Sequence, residues 1–125
     1  MAEKTIAVVG ASHQRYKYGN KCVRAYRSAG WRVIPVNPAG GEIEGLPVAR
    51  RLADVDAELD RVSVYLPPAK TLELVPEIAA KGAREVWLNP GAADAEVIAA
   101  ARAAGLNVID GCSIVDIGLS PAQFP

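Results

Sequence analysis

Cysteine is nearly absent from this sequence: Cys22 and Cys112 are its two, and they form no CxxC pair. That spacing excludes a disulfide framework and offers no zinc-ligand set, so free thiols in a reducing compartment are expected. Long apolar runs are missing as well. None approaches the roughly 20 residues that cross a bilayer, and the first strand-like run starts at Ile6, which leaves no room for a signal peptide. The expected location is therefore the cytoplasm. A net charge is missing too: 14 Lys and Arg balance 14 Asp and Glu, which argues against a general binder of nucleic acid or membrane surfaces.

What is present is ordinary in amount and uneven in arrangement. Half of the 125 residues are apolar and 22% are charged, the make-up of one globular domain, taken as residues 1–125, that can bury a core without disulfides or metal. The charge is segregated. Lys4, Arg15, Lys17, Lys21, Arg24, Arg27 and Arg32 lie between Glu3 and Glu42 with no carboxylate among them, and the remainder of the chain holds a matching excess of acids. A segment this positive predicts an anion nearby.

Along the chain, β-rich runs alternate with helical patterns. Ile6-Ala7-Val8-Val9 ends at Gly10 and predicts a central strand buried on both faces. Cys22, Val23, Tyr26 and Ala29 give the inner face of a helix over Asn20–Ala29, stopped by Gly30. Arg32–Val36 predicts the second strand, closed by the turn Asn37-Pro38-Ala39-Gly40-Gly41. Leu46-Pro47-Val48 contains proline and predicts a short edge strand. Arg61–Leu66 predicts another central strand; Pro68 then opens a helix to Ala80. Glu85–Leu88, a helix over Ala93–Ala104 and a sixth strand at Asn107–Ile109 follow, with an irregular tail after Cys112.

Strands and helices alternating at this spacing imply right-handed parallel βαβ units, hence a Rossmann-like α/β/α sandwich with strand order 3-2-1-4-5-6. In that order the direction of winding reverses between the first and fourth strands, and ligands of such sheets bind outside the carboxyl ends of the strands there. The predicted site is thus Gly10–Gly19 with Leu66-Pro67-Pro68 opposite. Within the first loop, a glycine directly after the strand admits a ligand to the backbone, and the next helix offers unpaired N–H groups to a phosphate. Ser12 adds a hydroxyl, and Arg15 and Lys17 add charge; the plain alternative is a polar turn with a capping serine. The loop has no GxGxxG, and the second strand ends at Val36-Asn37-Pro38 rather than at an acid, so NAD is disfavoured.

In order and spacing, Gly10-Ala11-Ser12, Lys17-Tyr18-Gly19, Pro35-Val36-Asn37-Pro38, Leu66-Pro67-Pro68, Trp87-Leu88-Asn89-Pro90-Gly91-Ala92 and Gly111-Cys112 resemble the stand-alone bacterial coenzyme A-binding proteins. The similarity runs from Lys4 to Val115. Those proteins are in turn similar to the coenzyme A-binding domain of the succinyl-coenzyme A synthetase alpha subunit. The resemblance implies coenzyme A or an acyl-coenzyme A as the ligand, with Gly10, Ala11 and Ser12 as the phosphate turn and His13 and Arg15 as further phosphate partners. It sets Lys17 and Tyr18 in the same loop, Asn37 and Pro38 beside the adenosine, Leu66, Pro67 and Pro68 as an apolar wall, and Asn89 and Pro90 on the pantetheine side. The chain departs from the pattern twice. Gly40-Gly41 stand where the synthetase has a lysine, which moves the 3′-phosphate contact to Arg15 or Lys17. Asn89 stands where relatives have glutamine.

The synthetase's phosphorylated histidine belongs to a domain this chain lacks, and His13, the single histidine, sits in the loop rather than in a nucleophile–base pair. The reading is therefore a binding or carrier module rather than an enzyme. Two alternatives stay open: a fragment of an NADP-dependent oxidoreductase, and an accessory subunit of an acyl-coenzyme A synthetase whose partner supplies catalysis. A homodimer is likewise open. Cys112 should emerge at the ligand edge, as an inert thiol or as a partner for the coenzyme A thiol, whereas Cys22 is core. Lys21, Arg24 and Arg27 recur on the helix face opposite Cys22 and Tyr26, as a solvated face or as an electrostatic collar. For Trp31 and Trp87, core or interface packing outranks base stacking.

Overall fold

The computed structural model describes residues 3–125. Its centre is β1 (Thr5–Val9), whose five residues are all buried. The apolar run Ile6–Val9 within it is stable there because both faces are covered. Alternation splits the strand between two cores: Ala7 and Val9 face one and Ile6 and Val8 the other. Burying Ile6, Val8 and Val9 this fully contributes about 1.5–3 kcal/mol each.

β1 pairs in parallel with β2 (Arg32–Val36) on one side and β5 (Arg61–Val64) on the other. β6 (Glu85–Leu88) and β7 (Val108–Asp110) continue the sheet, giving the order β2-β1-β5-β6-β7. The helix α1 (Tyr18–Ser28) packs Cys22, Val23, Ala25 and Tyr26 on the Ile6/Val8 face. The helices α2 (Pro68–Lys81) and α3 (Ala95–Ala103) pack Ile78 and Val97 on the Ala7/Val9 face. This is the α/β/α sandwich the sequence implies. Pro68 sits in the first turn of α2, where its missing N–H costs nothing, and the Asp94 carboxylate caps α3 by accepting from the Val97 amide at 3.0 Å.

The outermost strand differs from expectation. Leu46–Val48 does not join the sheet; β3 (Glu42–Ile43) and β4 (Leu46–Pro47) form a separate antiparallel hairpin. Two causes are local. Glu44 and Gly45 both adopt positive φ, 51° and 77°, the geometry of a tight hairpin turn, and Pro47 has no N–H to give to a sheet ladder. Only Ala49 reaches the sheet, donating to the Pro35 carbonyl and accepting from the Asn37 amide, each at 2.9 Å.

The tail also differs, since it is ordered rather than irregular. Residues after Cys112 form α4 (Ser113–Asp116) and a single helical turn at Pro121–Gln123. Ile114 is fully buried. Tyr26 donates its hydroxyl to the Ser113 carbonyl at 2.7 Å. Asp116 binds the Arg61 guanidinium at 2.7 Å, and that guanidinium lies between the rings of Trp31 and Trp87, 5.2 and 5.0 Å from their centroids. Both tryptophans therefore serve packing around the Arg61 guanidinium, and neither lines the crevice.

Candidate functional site

At the carboxyl ends of β1 and β5 the neighbouring connections leave for opposite faces, α1 for one and α2 for the other, and a groove of about 1240 Å³ opens between them. Its size lies just above the range of roughly 300–1,000 Å³ common for small-ligand sites. The turn after β1 forms its floor. Gly10 has φ of +86°, and a Cβ there would stand 2.7 Å from the Tyr65 carbonyl oxygen. A Cβ on Gly19 would stand 2.4 Å from the Gly10 carbonyl oxygen. Two glycines thus allow β1, β5 and the start of α1 to meet closely enough to make one surface.

Two buried or half-buried amides hold that floor. Asn37 donates its Nδ2 to the Ala11 carbonyl at 2.8 Å, and Asn20, which is fully buried, donates its Nδ2 to the Ser12 carbonyl at 2.8 Å. In a trans peptide the N–H points opposite to the C=O. The N–H groups of Ser12 and His13 are consequently aimed away from the two anchoring amides, and among the described residues neither donates to a protein group. The N-terminus of α1 is similar: Lys17 provides no side-chain cap and the first turn holds no acid, which leaves the helix dipole unanswered there. Ser12 Oγ is occupied, accepting from the Gln14 amide at 3.0 Å.

Charge and apolar surface converge on the same groove. Lys17 comes from the α1 side and Lys70 from the first turn of α2. Leu66, Pro67 and Pro68 line one wall, Pro90 and Ala92 continue it, and Cys112 and Pro121 close it on the tail side. Tyr16 and Tyr18 stand on the lip, 70% and 60% exposed.

Of the residues the sequence pointed to, the structure brings Gly10, Ala11, Ser12, Lys17, Tyr18, Asn37, Leu66, Pro67, Pro68 and Pro90 into the lining. His13, Arg15, Pro38 and Asn89 are not part of it. His13 and Pro38 are exposed. Arg15 turns to Glu44, 3.9 Å away. Asn37 is present, but both ends of its amide are engaged, since its Oδ1 accepts from the Ala39 amide at 2.8 Å; its side chain shapes the turn.

Asn89 departs most from expectation. It is 1% exposed and lies behind the wall. Its Nδ2 donates to Ser63 Oγ at 2.8 Å and to the Val64 carbonyl at 2.9 Å, and its Oδ1 accepts from the Ser113 amide at 2.9 Å. Ser63 Oγ and Ser113 Oγ are 2.8 Å apart, and Cys22 Sγ lies 3.7 Å from the former. This polar knot joins β5, β6 and α4, and burial within it pushes the Cys22 thiol up to about 11. Burial also raises the Tyr65 phenol well above its ordinary value, and it raises Tyr26 to about 12.

Sequence reasoning missed Lys70, Tyr65 and Pro121, and had Tyr16 only as part of the Gly10–Gly19 segment. Lys70 had a usable signal: it lies in the first turn of the helix that starts at the switch point, where a basic side chain faces the crevice. Pro121 had none, because the tail carried no periodicity.

A family model described as a CoA binding domain matches residues 4–118. The chain belongs to the CoA-binding domain family. It is similar to the YneT protein of Bacillus subtilis, 28% identical over 106 residues, which is 85% of this chain and 78% of that protein. A solved Thermus thermophilus structure is 34% identical and covers 93% of this chain and 89% of its own, with a TM-score of 0.85. The family tie extends to larger ligases. The ADP-forming acetate–CoA ligase of Methanocaldococcus jannaschii is 25% identical over 81 residues, 65% of this chain and only 12% of the ligase. The dinucleotide-forming acetyl-coenzyme A synthetase 1 of Ca. Korarchaeum cryptofilum is 25% identical over 86% of this chain and 26% of its own, with a TM-score of 0.74. This CoA-binding domain therefore corresponds to one small part of each of those proteins.

Proposed function

We propose that this domain holds coenzyme A, free or acylated, in the groove at the carboxyl ends of β1 and β5, as a binding or carrier module. The observation that carries the reading is the pinning of the Ala11 and Ser12 carbonyls by Asn37 and Asn20, which leaves the Ser12 and His13 amides as donors for the pyrophosphate. The uncapped first turn of α1 at Tyr18 and Gly19 extends that cradle, and Lys17 and Lys70 flank it with charge. Arg15 or Lys17 meets the 3′-phosphate, and His13, outside the lining like Arg15, is a further phosphate partner. Adenosine lies by Asn37 and Pro38. The pantetheine arm runs along Leu66, Pro67 and Pro68 and past Pro90 toward Cys112.

Burial shifts Cys22 and Tyr26, behind the groove, and Tyr65, in its lining, upward, so none of the three is favoured as a thiolate nucleophile or a phenolate base. Similarity to parts of acyl-coenzyme A ligases favours a second reading, in which the module presents coenzyme A to a separate catalytic chain.

Calorimetric titration of the purified protein with coenzyme A, acetyl-coenzyme A and NADPH tests both. Saturable binding of the two coenzyme A forms and none of NADPH is the expected result. Binding of NADPH alone would replace this reading with a dinucleotide one, and native mass spectrometry showing a larger partner chain would favour the second.

A further inference from the structure

The tail beyond α4 touches the groove, and one guanidinium fastens it there. Pro121 and Cys112 line the groove. The turn at Pro121–Gln123 is preformed by a capping box, with Ser120 Oγ accepting from the Ala122 amide at 3.2 Å and Gln123 Oε1 accepting from the Ser120 amide at 2.7 Å. Phe124 then packs on the α1 face of the core.

Arg24, in the middle of α1, holds this segment and the opposite rim at once. Its Nη2 donates to the Phe124 carbonyl at 3.0 Å and to the Arg15 carbonyl at 2.8 Å, and its Nη1 donates to the Pro125 carbonyl at 3.2 Å. Its charge also lies 5.9 Å from the Phe124 ring centroid. Its Nε donates to Asn20 Oδ1 at 2.7 Å, and Asn20 is the residue whose other amide end fixes the Ser12 carbonyl. One planar fork thus connects the phosphate turn, the loop before α1 and the tail. A lysine in its place has a single ammonium, which cannot span acceptors on three segments.

We propose that Arg24 is a positioning residue for the ligand groove, and that the tail from Ser120 to Phe124 is a wall of that groove whose docking and ligand binding strengthen each other. This rests on the coenzyme A reading above. Because the tail borders the ligand and Arg24 ties its position to that of the turn, a ligand seated on the turn favours the docked tail. By thermodynamic reciprocity a docked tail then favours the ligand to the same degree.

The test is amide hydrogen exchange at Gln123 and Phe124 in the unmodified protein, with and without saturating coenzyme A, alongside calorimetric titration of Arg24→Lys. As a control, Arg51→Lys replaces a guanidinium whose Nη2 donates to Glu77 Oε1 at 2.8 Å, outside the groove lining. Saturation should slow exchange at those two amides about tenfold, and Arg24→Lys should weaken coenzyme A binding about tenfold while Arg51→Lys leaves it unchanged. Unmodified protein that binds coenzyme A with no change in tail exchange, together with an Arg24→Lys affinity equal to that of the control, would overturn the role of the tail and leave the groove reading standing. Unmodified protein that does not bind coenzyme A would remove that reading and this one with it.

Discussion

Asn37 reaches from the end of β2 to the turn after β1 and donates its Nδ2 to the Ala11 carbonyl oxygen at 2.8 Å. Because its Oδ1 is bound at the same time by the Ala39 amide at 2.8 Å, the side chain has one orientation and the turn inherits it. An asparagine that sequence alone sets beside a ligand thus acts one step further back, on the backbone that meets the ligand.

Replacing Asn37 by leucine keeps its bulk and removes the donor. A part-buried carbonyl left without a partner costs about 1–3 kcal/mol, so the variant should melt lower. It should also bind coenzyme A at least about tenfold more weakly, because the Ser12 amide is no longer oriented. Thermal unfolding and calorimetry read the two effects separately, and an unchanged affinity in a folded variant would show that the turn is held by something else.

Gly10→Ala and Gly19→Ala test the close approach of the elements. The first adds a Cβ to a residue at φ +86° and sets it 2.7 Å from the Tyr65 carbonyl oxygen; the second sets one 2.4 Å from the Gly10 carbonyl oxygen. Backbone lies on the other side of both contacts, so the elements must move apart. Each variant should lose about 2 kcal/mol or more in urea denaturation. An alanine tolerated without loss at either position would mean that the floor of the groove is softer than its geometry implies.

Lys17 and Lys70 should matter for the ligand and hardly for the fold, since both are exposed and neither forms an ion pair among the described residues. Lys17→Gln and Lys70→Gln together should weaken coenzyme A binding on the order of tenfold at low salt, and the deficit should shrink as salt screens the lost charges. Melting temperature should not move. A salt-independent deficit would point to packing rather than charge.

The buried thiol and phenol predict how stability depends on alkali. Cys22 is raised from its model-compound value of 9.0 to about 11, and Tyr26 from 10.0 to about 12, both mainly by burial. Below their unfolded values both groups are protonated in either state and pH has no effect through them. Above, the unfolded chain releases protons that the folded chain retains, so stability falls, first between about pH 9 and 11 for Cys22 and then between about 10 and 12 for Tyr26. Cys22→Ala should flatten the first part of that fall, which is on the order of 2 kcal/mol. Urea titrations at steps of pH between 8 and about 11 would show it. At pH 8 a thiol reagent should modify the half-buried Cys112 and spare Cys22.

The parts of this architecture that were legible in the sequence depend on near neighbours. Ile6–Val9 followed by Gly10 announces a buried strand and a tight turn within a few residues, and Leu66-Pro67-Pro68 announces a strand end and a helix start; together they locate the crevice. What escaped depends on residues far apart in the chain. Asn89 is bound by Ser63 and Ser113, 26 and 24 positions away, and nothing beside it reveals that its amide is spent in the core. Tyr26 and Ser113 are 87 positions apart, so the order of the tail was hidden. Arg24 and Arg27 recur at the spacing of a solvated helix face, yet they bind carbonyls of the tail and of Glu44. The hairpin at β3 and β4 was within reach, because Glu44-Gly45 between Ile43 and Leu46 is a turn signal that the proline at 47 obscured.

The central claim, that the turn after β1 receives the phosphates of coenzyme A, is tested most directly by following backbone amide resonances during titration with coenzyme A. The account predicts saturable shifts at Ser12, His13, Tyr18 and Gly19, larger than those of any amide at the amino ends of the strands. Binding of coenzyme A that leaves the Ser12 and His13 amides unmoved would contradict it.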